Sequence, residues 1–408
     1  MYGDLRSKLE MYKKNREDNT KKRKSTGRDV QNLINGTVCS NDMGTYFLIE
    51  KEYPLSYIYG GYRFEDAKGV NLMSLGGICS GLNESSRIQD FLFMDTETTG
   101  LSGGAGTVAF LVGIGFFMDD RFILRQYFMR DYDEESALLS DLNGFMAGYK
   151  GLVTFNGKAF DWSLLQSRFV FNRLRNSLRD PIHIDLLFPS RRIWKLKLEN
   201  CRLGTLEQNI LGESRTDDIP GAMIPSIYFK YLEDRDASEI KRVIKHNELD
   251  ILSLTALFIK ISFMLEKPLF ETDGERELFG VGTIFENAGE YDKVIGCYET
   301  CTSSGNKYIR ESALRKLGDI HKRNKDYDKA AEHWKRMISD SDAFSLYPVI
   351  ELAKYYEHRC KDLDKALEMT ERAMQQICRM GMKKSCIYEE VEKRYERLKR
   401  KVGKMKNA

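Results

Sequence analysis

The sequence predicts an α/β domain, a mixed sheet flanked by helices, followed by an all-α domain of repeated helical hairpins. Three observations predict it. Between Phe91 and about Met264, apolar runs of strand length alternate with longer segments of helical periodicity. Further on, EYDKVIGCY (290–298), DYDKAAEHW (326–334) and DLDKALEMT (362–370) recur every 36 residues. A chain of 408 residues, 42% hydrophobic and 31% charged, is also long enough for two or three separate cores.

Residues 1–37 read as a charged leader and residues 38–90 as a β-rich extension containing YPLSYIYGGYRF. The α/β domain is expected over 91–265. FLFM forms its first strand, and TVAFLVGIGFF (107–117) and RFILRQYFM (121–129) form two more, joined by the turn Met118-Asp119-Asp120. A helix over Glu134–Tyr149, the strand GLVTF ending at Phe155, and helices over Ala159–Leu174 and Ala237–Leu265 complete it. Helical repeats occupy 275–400. Leu278, Leu314 and Ile350 keep one register, as do Val281, Leu317 and Ala353, and the small residues Ala330 and Ala366 let neighbouring helices approach. The spacing is close to the tetratricopeptide period; arrays of that kind are commonly used for protein contact, and a purely structural cap on the enzyme domain is an equal alternative.

Composition excludes several classes. The longest apolar run, Val108 to Met118, falls short of the roughly 20 residues a membrane span needs, and MYGDLRSKLEMYKK lacks the apolar core of a signal peptide. Eight cysteines without a C-x-x-C pair argue against a zinc site, and Cys297 and Cys301 fit one helix face. A cytoplasmic protein with reduced thiols is expected. The net charge of +3 is uneven: residues 1–28 and 391–408 each carry +6, leaving −9 for the middle. Basic ends can attract phosphate backbones or acidic surfaces, or simply be solvated.

The chemistry concentrates in three segments. In FLFMDTETTGL (91–101), Asp95 and Glu97 lie two apart at a strand end, so their side chains share a face. Two adjacent carboxylates repel unless a cation lies between them, and hard oxygen ligands suit Mg²⁺ or Mn²⁺. NGKAFD returns the chain at the carboxyl edge of the sheet and places Asp161 near that pair. In HNELD (246–250), His246 and Asp250 are four apart, about 40° around a helix, and share a face. Asp95, Glu97, Asp161 and Asp250 together could hold two cations about 3.5–4 Å apart, with His246 as proton acceptor.

These three segments, in this order, resemble the exonuclease motifs of the DEDD group in the RNase H-like superfamily. More narrowly, GGAGTVAFLVG (103–113), DIPGAMIPSIY (218–228) and HNELDILSL (246–254) resemble the YprB-type predicted exonucleases, over about residues 45–265. The resemblance implies an RNase H-like mixed sheet, a tetratricopeptide-like tail and 3′→5′ hydrolysis of single-stranded DNA or RNA. It makes Asp95, Glu97, Asp161 and Asp250 the ligands of two Mg²⁺ or Mn²⁺ ions and His246 the general base. One departure is visible: the histidine stands four residues before the last aspartate, the spacing of the tyrosine subgroup. Two other functions remain open at this stage, a catalytically silent scaffold binding nucleic acid or protein, and a structure-selective endonuclease using the same acids.

Two lookalikes carry less. Gly104-x-Gly106-x-x-Ala109 mimics a dinucleotide fingerprint, but VAFLVGIGFF after it is strand-like, whereas the fingerprint requires a helix N-terminus. Asp185 in HIDLLF reads as a strand-end residue capping a loop. Phe160, Trp162, Arg191, Arg192 and Trp194 are candidates to stack on or clamp a nucleic-acid strand. A tryptophan at the helical spacing of Trp162 is more often core, and Arg191-Arg192, expected in a loop after Pro189, are the better candidates for phosphate contact.

Overall fold

The computed structural model describes residues 27–100, 106–340, 345–382 and 385–406. Most of the charged leader and part of the 103–113 glycine segment lie outside the described residues. The chain forms two compact units. The first comprises Met1–Arg191 with Leu198–Glu266, and the second Arg192–Lys197 with Lys267–Ala408.

The first unit is built on a seven-stranded mixed sheet. Its strands are β1 (Thr37–Asn41), β2 (Gly44–Pro54), β5 (Phe91–Thr98), β6 (Ala109–Met118), β7 (Arg121–Phe128), β8 (Gly151–Thr154) and β9 (Ile182–Asp185), while β3 (Ile58–Tyr59) and β4 (Tyr62–Arg63) make a separate hairpin. The order is β1-β2-β7-β6-β5-β8-β9. Pairing is antiparallel from β1 to β5 and parallel from β5 through β8 to β9. The residues 38–90 are therefore more than an appendage: β1 and β2 are two of the seven strands, and β2 pairs with β7 along Phe47 to Pro54.

β5 is central, which explains why FLFM is apolar at every position: both faces are covered. Around the sheet lie α1 (Glu135–Met146), α2 (Asp161–Phe171), α3 (Leu187–Trp194), α4 (Ile224–Asp234) and the 29-residue α5 (Ser238–Glu266). On one face Phe93 meets Phe258 of α5 edge-on, with ring centroids 5.4 Å apart at 86°. On the other, Leu92 and Met94 join a core with Leu138, Leu142 and Leu165. Residues of odd number on β5 thus look toward α5.

The second unit is all helical. It contains α6 (Glu275–Ala288), α7 (Tyr291–Cys301), α8 (Lys307–Arg323), α9 (Tyr327–Ser339), α10 (Leu346–Tyr355), α11 (Leu363–Arg379) and α12 (Cys386–Lys406). The 36-residue repeat has a local cause. Glu290, Asp326 and Asp362 stand at the N-caps of α7, α9 and α11, and the two aspartates accept from the backbone N–H of Lys329 and Lys365. One turn of close approach repeats as well: a Cβ on Gly282 would lie 2.6 Å from the Tyr298 ring, and one on Gly318 would lie 2.5 Å from the Trp334 indole. Leu278, Val281, Leu314, Leu317 and Ala353 are buried, while Ile350 of the same register is half-buried. The basic C-terminal run is not a free tail, because Arg394, Arg397 and Lys401 of α12 converge on the buried Glu357.

Candidate metal centre

β5 ends in a bulge. Glu97 pairs with Leu111 but Thr98 with Ala109, so one residue of β6 is passed over just where the acids lie. Asp95 and Glu97 share the face toward α5, as strand alternation requires. α5 supplies the facing residues at 246, 247 and 250.

Asn247 anchors this approach. Its Nδ2 donates to Asp95 Oδ2 at 2.8 Å, and its Oδ1 accepts from Gln126 Nε2 of β7 at 2.9 Å. It is fully buried, and the space for it exists because position 113 is glycine: a Cβ there would sit 2.2 Å from Asn247 Oδ1. Next to it, Glu248 turns the other way and is held by Lys51 and Tyr53 of β2 and by Lys245. Neighbouring residues of α5 thus tie it to β5, β7 and β2.

Asp161 arrives by a different route. The loop after β8 is folded over Asp185, whose carboxylate accepts from the backbone N–H of Asn156 (2.8 Å), Lys158 (3.1 Å) and Leu187 (3.1 Å). The left-handed backbone of Asn156 makes the turn. Asp161 then opens α2, and Thr96 Oγ1 donates to its Oδ1 at 2.5 Å. Asp185 is the loop-capping residue that its position suggested.

On the α5 side, His246 Nε2 lies 3.4 Å from Asp250 Oδ2 and 3.9 Å from Glu97 Oε1, while its Nδ1 lies 2.6 Å from Asp218 Oδ1. A carboxylate at that distance favours a proton on Nδ1, a nitrogen that Arg215 Nη1 also approaches at 3.3 Å, and Nε2 is turned toward the acids. Ligand atoms of Glu97, His246 and Asp250 all fall within 4.8 Å of one another. Arg215, from the loop before Asp218, donates to Asp250 Oδ1 at 2.5 Å and to Glu207 Oε2 at 2.6 Å, and Glu207 also accepts from Tyr59 at 2.5 Å.

Electrostatics report the same convergence. Burial, then the charges of Asp250, Asp161 and Glu97, push the Asp95 carboxyl well above its ordinary value. Burial and the charges of Asp250 and Asp161 do the same to Glu97. Asp161 is pushed up to about 6, chiefly by burial and against the Thr96 hydrogen bond. Among the described residues no lysine or arginine forms an ion pair with Asp95, Glu97 or Asp161. Asp218, though burial works against it, is held below the usual carboxylate range by His246. Four carboxylates with a single nearby arginine and one imidazole form a donor set suited to hard divalent cations. The side chains of Glu97, His246 and Asp250 keep 13%, 15% and 14% exposure, so the cluster is recessed yet reachable.

Residues 92–262 match a family model described as the RNase H superfamily. Uncharacterized protein YprB of Bacillus subtilis (strain 168) is 34% identical over 365 residues, which cover 87% of this chain and 86% of that one. The chain belongs to the YprB family. Its first unit carries an RNase H-like domain, and that superfamily points to a nuclease-type activity, a nucleic-acid substrate and the use of divalent metals.

The structure brings all five sequence candidates to one locality: Asp95, Glu97 and Asp161 at the carboxyl edge of the sheet, His246 and Asp250 on the facing helix. Sequence reasoning missed Asp218, Arg215, Asn247 and Thr96. Asp218 opens the DIPGAMIPSIY segment, so a signal for it existed; Arg215 lies in an aperiodic loop with none. Two suggested clamp residues have other work in this fold. Trp162 is buried in the core, and Trp194 is fully buried with its indole N–H on Glu277 Oε1 at 3.0 Å. Among the described residues no helix is long and apolar enough to cross a membrane.

Proposed function

We propose that the YprB-type unit is a 3′→5′ exonuclease that hydrolyses phosphodiester bonds at the ends of single-stranded DNA or RNA. The observation that carries the reading is the convergence of four carboxylates from three distant segments, with the imidazole of His246 beside two of them, Glu97 and Asp250. Asp95, Glu97, Asp161 and Asp250 would hold a pair of Mg²⁺ or Mn²⁺ ions, which supply an acidified water and charge stabilisation for the departing 3′-oxygen. His246 Nε2 accepts the proton of the attacking water. Asp218 acts through His246, fixing the Nδ1 proton and favouring the imidazolium that forms. Asn247 and Thr96 hold Asp95 and Asp161 in fixed orientations, so little reorganisation accompanies the reaction. Arg215 occupies one oxygen of Asp250 and leaves Oδ2 directed into the cluster.

The test uses the full-length protein with Mg²⁺ or Mn²⁺ and 3′-labelled oligonucleotides. Digestion from the 3′ end is expected, with Asp95→Ala and EDTA each abolishing it. Activity persisting in EDTA removes the metal mechanism, and cleavage of a circular single strand replaces the exonuclease by an endonuclease.

A further inference from the structure

The second unit contains a groove that the catalytic reading does not use. Two adjoining cavities of about 700 and 390 Å³ share Lys316 and Asp319. One face of α8 lines both, with Tyr308, Ser312, Arg315, Asp319 and Lys322 spaced three or four residues apart. From Tyr308 to Arg323 this face runs about 22 Å, long enough for several nucleotides of a single strand.

The charge in the groove is one-sided. The linings hold eight lysines and arginines against three carboxylates, Glu286, Asp319 and Glu351. Those acids are already engaged. Glu286 takes Lys316 at 2.6 Å, Glu351 takes Lys322 at 2.6 Å and Lys354 at 2.8 Å, and Asp319 accepts from Tyr347 at 2.5 Å. Arg192, Lys195, Arg315 and Arg359 have no carboxylate within ion-pairing distance among the described residues; two of them rest on rings, Arg315 over Tyr347 and Arg359 over Tyr327. Tyr308 is 62% exposed at one end. Unneutralised cations along a groove, with an accessible aromatic ring, match a flexible polyanion whose units carry a stacking face.

We infer that this groove is a second, sequence-independent binding site for a single strand of DNA or RNA, contacting the phosphates through Arg192, Lys195 and Arg315 and a base through Tyr308. The choice of nucleic acid over an acidic polypeptide rests on the nuclease reading above. The groove itself does not depend on metal.

Binding of a fluorescein-labelled 20-nucleotide single strand to the full-length protein is measured by anisotropy in EDTA at several salt concentrations. The triple variant Arg192→Gln, Lys195→Gln, Arg315→Gln is expected to bind at least tenfold more weakly. Its log–log salt slope should fall by about 2, or about 0.7 for each phosphate that is no longer neutralised. Tyr308→Ala should weaken binding severalfold and leave that slope unchanged. With metal, the triple variant should show a raised KM on the 20-mer and wild-type kcat on a trinucleotide. Asp95→Ala should bind in EDTA as wild type does, so an absent hydrolysis and an absent groove are told apart. Wild-type affinity in a triple variant with an unchanged melting temperature overturns the inference. So does polyglutamate of equal charge competing as well as the oligonucleotide, which would make the occupant an acidic protein segment.

Discussion

At the residue scale, the pairing of His246 with Asp218 separates two roles for the imidazole. If Nε2 accepts a proton, His246→Gln lowers kcat by about 10²- to 10⁴-fold and leaves the affinity for Mn²⁺ close to wild type. If Nε2 is instead a metal ligand, the same change weakens Mn²⁺ binding, measured by calorimetry on the full-length protein. Asp218→Asn is expected to lower kcat by about 10- to 100-fold, because it releases the Nδ1 proton without touching the acids. Of these residues, the sequence made legible those whose spacing has meaning on a regular element: Asp95 and Glu97 on a strand, His246 and Asp250 on a helix. Arg215 and Asp218 come from a loop, where spacing carries no geometry, and only their arrival against α5 gives them a role. Trp194 illustrates the converse. A tryptophan beside arginines looks like a stacking platform until its N–H is found on a buried glutamate.

At the element scale, the placement of α5 depends on how closely its polar residues meet the sheet. Gly113→Ala would drive a methyl group into Asn247 Oδ1, 2.2 Å away, and is expected to cost about 1–3 kcal/mol while detaching Asn247 from Asp95. Gly144→Ala on α1, where nothing lies within 4 Å, serves as the control and should be neutral or stabilise by up to about 1 kcal/mol. Urea midpoints of both variants, with rates of oligonucleotide hydrolysis, check this; equal midpoints would remove the steric argument. The principal strands and helices of the sheet unit were legible because their apolar runs are long and bounded by turns. β1 and β2 were legible as β structure, yet their membership of the main sheet was not, since pairing with β7 joins residues from 67 (Pro54 with Arg121) to 81 (Phe47 with Phe128) positions apart in the chain. The 36-residue repeat was visible because it is written into caps and close approaches that recur at the same step along the chain.

At the scale of the whole molecule, the acidic cluster is expected to make stability depend on pH and on divalent metal together. Asp161 titrates near 6 in the folded chain and near 3.8 when unfolded. Between those values the unfolded chain has released a proton that the folded chain retains, so this carboxylate withdraws stability as pH rises and withdraws most above about pH 6. The shift corresponds to at most about 3 kcal/mol. Asp95 and Glu97, both raised, act with the same sign. Metal-free Asp161→Asn is therefore expected to melt above wild type at pH 7.5 and with it near pH 4. Mg²⁺ or Mn²⁺ should raise the wild-type melting temperature more at pH 7.5 than at pH 5 and should have little effect on the variant. Melting temperatures whose difference ignores pH would show that the acids do not share a site.

Glu248 gives this architecture a wider consequence. Its charge is buttressed from β2 by Lys51 and Tyr53, strands away from the motifs by which the superfamily is found. Cut out alone, the stretch from 92 to 262 keeps Lys245 beside that carboxylate but loses both partners that β2 supplies on the helix that carries His246. A fragment trimmed to those limits is therefore expected to hold this helix less firmly than the whole first unit does.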